Sequence, residues 1–256
     1  MKQLFVAIAS VAIGMPMAFA DSGKNFTVTP ATFDPSNTKM VTAAWLGGLG
    51  CVTKGHVQAF LPPNFNTTQI LPYVDATCPT GDPQDTNNQG LLLAKTGPTN
   101  NNASAGAKIG GVDNLVITEL GWDVRNGTHC GAGAPRFNIH LKNEPAGKIH
   151  FVGCSAMPVV STGLYGTRRR VTAAQLAGAG FASDPIAQGS TIDSIEIVYD
   201  EGQDTPTATE AGNGLVVLDN IDINGVLVGK GPGNNGNGNG KGEGDDNNNN
   251  GHNDDH

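Results

Sequence analysis

Basic residues are missing from a long stretch of this chain. Between Val171 and Gly229 there is no Lys or Arg, while nine acids fall in the same interval. The whole chain carries a formal net charge of −8. A nucleic-acid surface needs a basic footprint to neutralise phosphates, so that class of partner is excluded. Aromatics are scarce, at 5%, which argues against a sugar-binding face built mainly from stacked rings. Beyond residue 20 no apolar run approaches the roughly 20 residues of a transmembrane helix. The chain has no H-E-x-x-H, no G-x-S-x-G, no P-loop, and no G-x-G-x-x-G after a strand. Zincin, α/β-hydrolase and nucleotide-binding readings therefore have no support. Helix signals are few, and 36 glycines with 15 prolines suit a many-turned β protein better than a helical bundle.

What is present begins with a leader. Lys2 precedes an apolar core from Leu4 to Met17, and Ala18-Phe19-Ala20 forms a small-x-small cleavage site. The pattern predicts a signal peptide over 1–20 and a secreted or periplasmic protein. The four cysteines, Cys51, Cys78, Cys130 and Cys154, all follow the leader. An even count in an oxidising compartment predicts two disulfides, and the spacing fits neither a zinc ribbon nor C-x-x-C. The two local pairings, Cys51–Cys78 and Cys130–Cys154, are favoured among three connectivities. At the other end, residues 229–256 hold Gly, Asn, Asp and His with no large apolar residue. Such a composition cannot repay the entropy of ordering and predicts a disordered tail. One domain over 21–228 remains between them.

That body reads as strands. From Leu115 to Arg125, Val116, Leu120, Trp122 and Val124 share one parity, and Glu119, Asp123 and Arg125 the other. Arg136 to Lys142 puts Phe137, Ile139 and Leu141 inward, with Asn138, His140 and Lys142 outward. A five-residue loop, Asn143 to Gly147, turns it into a strand from Lys148 to Cys154, with Ile149 and Phe151 alternating against Lys148 and His150. This hairpin carries Cys154 back toward Arg136 and within reach of Cys130. Further strands are expected at Asn25–Thr29, Lys39–Trp45, Gly90–Lys95 and Ser194–Asp200. Leu215-Val216-Val217-Leu218 runs into Asn220-Ile221-Asp222-Ile223, and Asn224-Gly225 turns the chain into Val226-Leu227-Val228 as a type I′ hairpin. Thr172-Ala173-Ala174-Gln175 is a capping box opening a short helix to about Ala177. The sum is an all-β, two-sheet antiparallel β-sandwich, jelly-roll-like.

Candidate chemistry is confined to a few places. Phe60, Phe65 and Tyr73 lie in the proline- and asparagine-rich stretch between Cys51 and Cys78, the expected ligand-binding loop. Asp200, Glu201 and Asp204 cluster at a strand end around Gly202, and Asp219 would approach through the last hairpin. Oxygen donors so placed suit calcium, which takes 6–8 of them. Paired carboxylates are the only catalytic possibility: Glu119 and Asp123 share one strand face, about 13 Å apart along it, and are read as solvated acids more readily than as a hydrolytic pair. Arg168-Arg169-Arg170 is likewise read as a solvated basic surface, with an anionic glycan as the alternative partner.

Two stretches carry a resemblance. Trp122-Asp123-Val124-Arg125-Asn126 with His129 to Asn138 is one; Ile195 to Gly202 with Leu218-Asp219-Asn220-Ile221 is the other. Together they resemble exported bacterial β-sandwich proteins of unassigned function and, more loosely, jelly-roll carbohydrate-binding modules. The resemblance implies a fold and a compartment. The expectation is a secreted non-catalytic binding module for a polysaccharide or cell-surface polymer, with calcium as a possible aid. The alternatives are a matrix protein acting through protein contacts and a carboxylate-dependent hydrolase.

Overall fold

The computed structural model of the chain describes residues 25–51, 56–58, 70–72, 88–97, 99, 103–163, 165–201 and 214–231. Within them lie β1 (Thr27–Phe33), β2 (Val41–Leu46), β3 (His56–Gln58), β4 (Ile70–Pro72), β5 (Gly90–Lys95), β6 (Ser104–Gly110) and β7 (Glu119–Arg125). There follow β8 (Arg136–Leu141), β9 (His150–Gly153), β10 (Val159–Thr162), β11 (Gly166–Thr172), β12 (Ile192–Tyr199), β13 (Leu215–Ile223) and β14 (Val226–Val228). One helical turn, α1 (Ala173–Leu176), starts where β11 ends. The chain is a β-sandwich. Strands β1, β6, β12, β8 and β9 lie side by side in one sheet. Strands β10, β11, β7, β13, β5 and β2 form the larger sheet, with β14 paired to β13. Neighbouring strands in both sheets are antiparallel. Strands β3 and β4 pair separately.

Period-two alternation builds this arrangement because successive side chains on a strand point to opposite faces. On β12, Ile195, Ile197 and Tyr199 are buried while Glu196 and Val198 lie on the other face. On β8, Phe137 and Ile139 are buried, as their parity predicts. The two inner faces meet where Trp122 of β7 stacks on Phe137 of β8, ring centroids 4.2 Å apart. Both residues are fully buried. Full burial of one large apolar side chain contributes about 2–3 kcal/mol, and stacked rings add about 1 kcal/mol.

Several local expectations hold. Cys130 and Cys154 form a disulfide across a separation of 24 residues. Cys51 is also disulfide-bonded; its expected partner Cys78 lies outside the described residues, as do the leader and the tail beyond Gly231. The capping box is formed in full, with Thr172 Oγ1 accepting from the Gln175 N–H while the Gln175 side chain accepts from the Thr172 N–H. The Asn224-Gly225 turn joins β13 to β14 with φ of 54° and 80°.

The strand expected from Leu115 to Arg125 is corrected. It begins at Glu119, and the parity assigned to Val116 fails: Val116 is exposed, whereas Leu115 and Ile117 are buried. The alternation changes phase near Thr118 because Asn224 intrudes there. Its Oδ1 accepts from the N–H groups of Thr118 (2.7 Å) and Glu119 (3.2 Å), and its Nδ2 donates to Val116 O at 2.9 Å. The turn residue thus also holds the entry of β7. Strands β6, β10 and β11 were not anticipated; β6 reads Ser-Ala-Gly-Ala-Lys-Ile-Gly, with residues too small to stand out as strand formers.

Asn224→Ala removes three hydrogen bonds and places a Cβ residue without a compensating side-chain amide at positive φ. It should lower the unfolding free energy by about 2 kcal/mol. Denaturant unfolding measures this, and a change below about 0.5 kcal/mol would refute the tertiary role given to the side chain.

Candidate functional site: the outer face of the five-stranded sheet

The outward residues of β1, β6, β12 and β8 line a groove of about 730 Å³. Its shape follows from side-chain size. The register aligns Ala31, Gly106, Val198 and Arg136 in one row across four strands, and Lys108, Glu196 and Asn138 in the next. Ala31 and Gly106 leave the β1–β6 side of this row low. A Cβ at Gly106 would lie 2.4 Å from the Ile197 carbonyl oxygen, so the close approach of β12 requires glycine there. Taller residues flank this row: Phe33 and Ser104 on one side, with Asp200 just beyond Tyr199 on that same side, and Lys108, Glu196 and Asn138 on the other, while Arg136 stands at the β8 end of the row.

Two aromatic rings stand at opposite edges of this face. Phe33 of β1 is 56% exposed and Phe151 of β9 is 39% exposed. Single exposed apolar residues are ordinary on a protein surface, but these two flank one face. On β9 the expected parity is reversed, since His150 is the buried residue and Phe151 the outward one. Phe151, directly across from Asn138, lies under Arg136, whose guanidinium carbon is 5.2 Å from the ring centroid. Arg136 is held from every side. It forms a bidentate pair with Asp200 (2.6 and 2.8 Å), and donates from Nε to Asn138 Oδ1 (3.0 Å) and from Nη1 to Gly133 O (2.9 Å). Four of its five N–H groups are thereby used, and the side chain becomes a fixed flat plate. Asn138 still has its amide N–H groups to offer.

Next to this plate, His129 Nε2 meets Glu201 Oε2. Gly133 lies against this carboxylate, with an added Cβ falling 2.2 Å from Glu201 Oε1. Lys95, itself buried, donates to the Asp200 carbonyl oxygen at 3.0 Å.

The carboxylates expected to bind calcium separate into different environments. Asp200 holds Arg136, Glu201 holds His129, and Asp219 accepts from the Cys51 N–H (2.5 Å) and the Asn220 N–H (2.6 Å). No group of three or more potential metal-ligating His, Cys, Asp or Glu side chains occurs among the described residues. Asp204, Phe60, Phe65, Tyr73 and Cys78 fall outside the described residues.

The outer face of the larger sheet is also polar, but it is a buried ionic network. The expectation of solvated acids at Glu119 and Asp123, and of a solvated arginine run, is overturned here. Asp123 is 1% exposed. Its oxygens accept from Arg168 Nε (3.0 Å) and Nη2 (3.1 Å), from Asn220 Nδ2 (2.8 Å), and Oδ1 lies 3.3 Å from Arg170 Nη2. Arg170 Nε donates to Asp222 Oδ2 at 2.7 Å. Arg169 points to the opposite face and donates to Met157 O at 2.8 Å. A one-residue bulge in β13 makes the network possible. Asp219 pairs with Asp123 and Asp222 with Gly121, so Asn220 is extra and sits at φ 45°. At Gly121 a Cβ would lie 2.3 Å from Arg170 Cδ, so glycine lets the arginine cross the strand. Burial, followed by the neighbouring Asp222 carboxylate, raises Glu119 to a pKa of about 7. Glu119 therefore converges on Asp222 and not on Asp123.

Comparison with family models, with curated proteins and with solved structures finds no match. The sequence carried part of the signal for the groove: Asn138 was placed outward by parity. Phe33, Ser104 and Lys108 were missed because their strands give weak or displaced alternation. No helix among the described residues is long and apolar enough to cross a membrane.

Glu119 gives a pH prediction. Its folded pKa of about 7 exceeds the ordinary glutamate value of 4.5, so the folded state holds this proton more tightly than the unfolded chain does. Its contribution is fully present below about 4.5 and is lost as pH rises through about 7. Glu119→Gln should flatten the fall of Tm across that interval and raise Tm at pH 8 relative to the parent; unchanged pH dependence would refute the assignment. Asp123→Ala should cost about 3–5 kcal/mol in denaturant unfolding, because it leaves buried arginine charge uncompensated.

Proposed function

We propose that this chain is an exported, non-catalytic binding module that takes an extended glycan on the outer face of its five-stranded sheet. The observation that carries this reading is the trough between two exposed aromatic edges, floored by Ala31 and Gly106 and lined by polar side chains held in place. Ligand sites are concave, with a few fixed polar groups on a partly apolar surface. A sugar chain offers alternating hydroxyls and apolar ring faces, and this lining offers hydrogen-bonding groups beside ring and aliphatic surface. From β1 to β9 there are four inter-strand steps of about 4.8 Å, or roughly 19 Å in all. That span suits a polymer better than a single sugar.

The Arg136–Asp200–Asn138 bonds support the reading because they fix side chains before any ligand arrives, and preorganisation cuts the entropy cost of binding. Catalysis has a weaker basis. Asp123 has its oxygens occupied by arginine and asparagine donors, and Glu119 faces Asp222 at the margin of a network that holds strands together.

Pull-down on insoluble and immobilised glycans, run with calcium and with chelator, tests the proposal. Phe33→Ala and Phe151→Ala should each weaken retention about tenfold, near 1.4 kcal/mol. Phe33→Ala should keep the parent melting temperature, whereas Phe151→Ala also removes the contact under Arg136 and its retention is compared at equal folded fraction. Retention by no glycan under either condition would sink the reading, as would full retention by the double variant.

A further inference from the structure

The groove's lining carries as many cations as anions. It holds two cations, Lys108 and Arg136, and two anions, Glu196 and Asp200. Lys108 stands directly opposite Glu196 in the register of β6 and β12. Arg136 is joined to Asp200 by two charge-assisted bonds of 2.6 and 2.8 Å. A polyanion entering the trough would have to take the guanidinium from Asp200, giving up a bidentate pair and exposing a carboxylate to its own charge. It would also approach a chain of net charge −8, which disfavours encounter at low ionic strength. The densest basic run offers no alternative track. Arg168 and Arg170 are turned onto Asp123 and Asp222, and Arg169 onto a backbone carbonyl.

Resting on the binding reading above, we infer that the polymer taken by this groove is uncharged, a neutral polyhydroxyl chain, and that the Arg136–Asp200 pair is what discriminates against polyanions. With its charge cancelled and its plane fixed over Phe151, Arg136 presents a flat surface and one remaining N–H. That is a contact for a hydroxyl and a ring face. An unpaired arginine would instead select a carboxylate or sulfate by the same fork geometry that now holds Asp200.

Affinity electrophoresis of the full chain in native gels provides the test. One set of gels holds neutral polymers (xyloglucan, mixed-linkage β-glucan, galactomannan, amylose), and the other holds polygalacturonate, alginate and hyaluronan. The parent chain should be slowed by at least one neutral polymer, with little dependence on salt, and by no polyanion. Asp200→Asn frees one positive charge and should produce retardation on polyanion gels of at least threefold, abolished by raising the salt. Glu196→Gln adds the same charge at a half-exposed position without touching Arg136, and should act in the same direction if Asp200→Asn fails to fold. Salt-sensitive slowing of the parent by polyanions, without slowing by neutral polymers, would overturn the inference and leave the groove as a binding site. No slowing by either class would overturn both. A folded Asp200→Asn variant that gains no retardation on polyanion gels would remove the ion pair's role in selectivity.

Discussion

Trp122 and Phe137 meet with ring centroids 4.2 Å apart, one ring from each sheet, and this contact fixes which face of each strand looks outward. Once Trp122 is inside, the pleat sends Gly121 and Asp123 to the far side of β7. Once Phe137 is inside, Arg136 and Asn138 must lie on the far side of β8. Register then propagates this choice sideways, since a slip of one residue would turn every side chain to the wrong face. Both outer faces, the open groove and the buried ionic network, are consequences of that one packing decision.

The two faces treat charge in opposite ways. On the larger sheet, Asp123, Asp222, Arg168 and Arg170 are taken out of water and tie β11, β7 and β13 together. Breaking such a network is costly because the remaining charge stays buried, although forming it yields little net stability against an apolar alternative. On the smaller sheet, Arg136 and Asp200 keep partial contact with solvent, with side-chain exposures of 17% and 30%. Their pairing shapes a surface more than it anchors a core. A protein with few aromatics and little basic charge can still build a recognition face this way, by fixing the groups it has.

Glycine and asparagine do much of the shaping. Gly106 and Gly121 permit close approach of neighbouring backbone and side chain where no Cβ fits. Asn220 and Asn224 take positive φ, one making the bulge that gathers Asp219 and Asp222 on one face, the other closing the last hairpin. Asn tolerates that conformation better than most residues because its short amide can bond locally. The abundance of both residue types, which in sequence reads only as many turns, is used inside strands as well.

The sequence by itself determined the strand-rich class, the inward parity of β8, the presence of β12, the capping box at Thr172, the Asn224-Gly225 hairpin and the Cys130–Cys154 pairing. Each of these is local, resting on side-chain periodicity, backbone preference or short chain closure. Only the tertiary structure decided that Asp123 and Arg168-Arg169-Arg170 are not solvated surface, and that Phe33, Lys108, Arg136 and Asp200, spread over four strands, border one trough. Those facts depend on which strands become neighbours and on what covers a face. Alternation states that a residue points away from the core, but whether it then meets water, an ion partner or a ligand is set by chain segments distant in sequence.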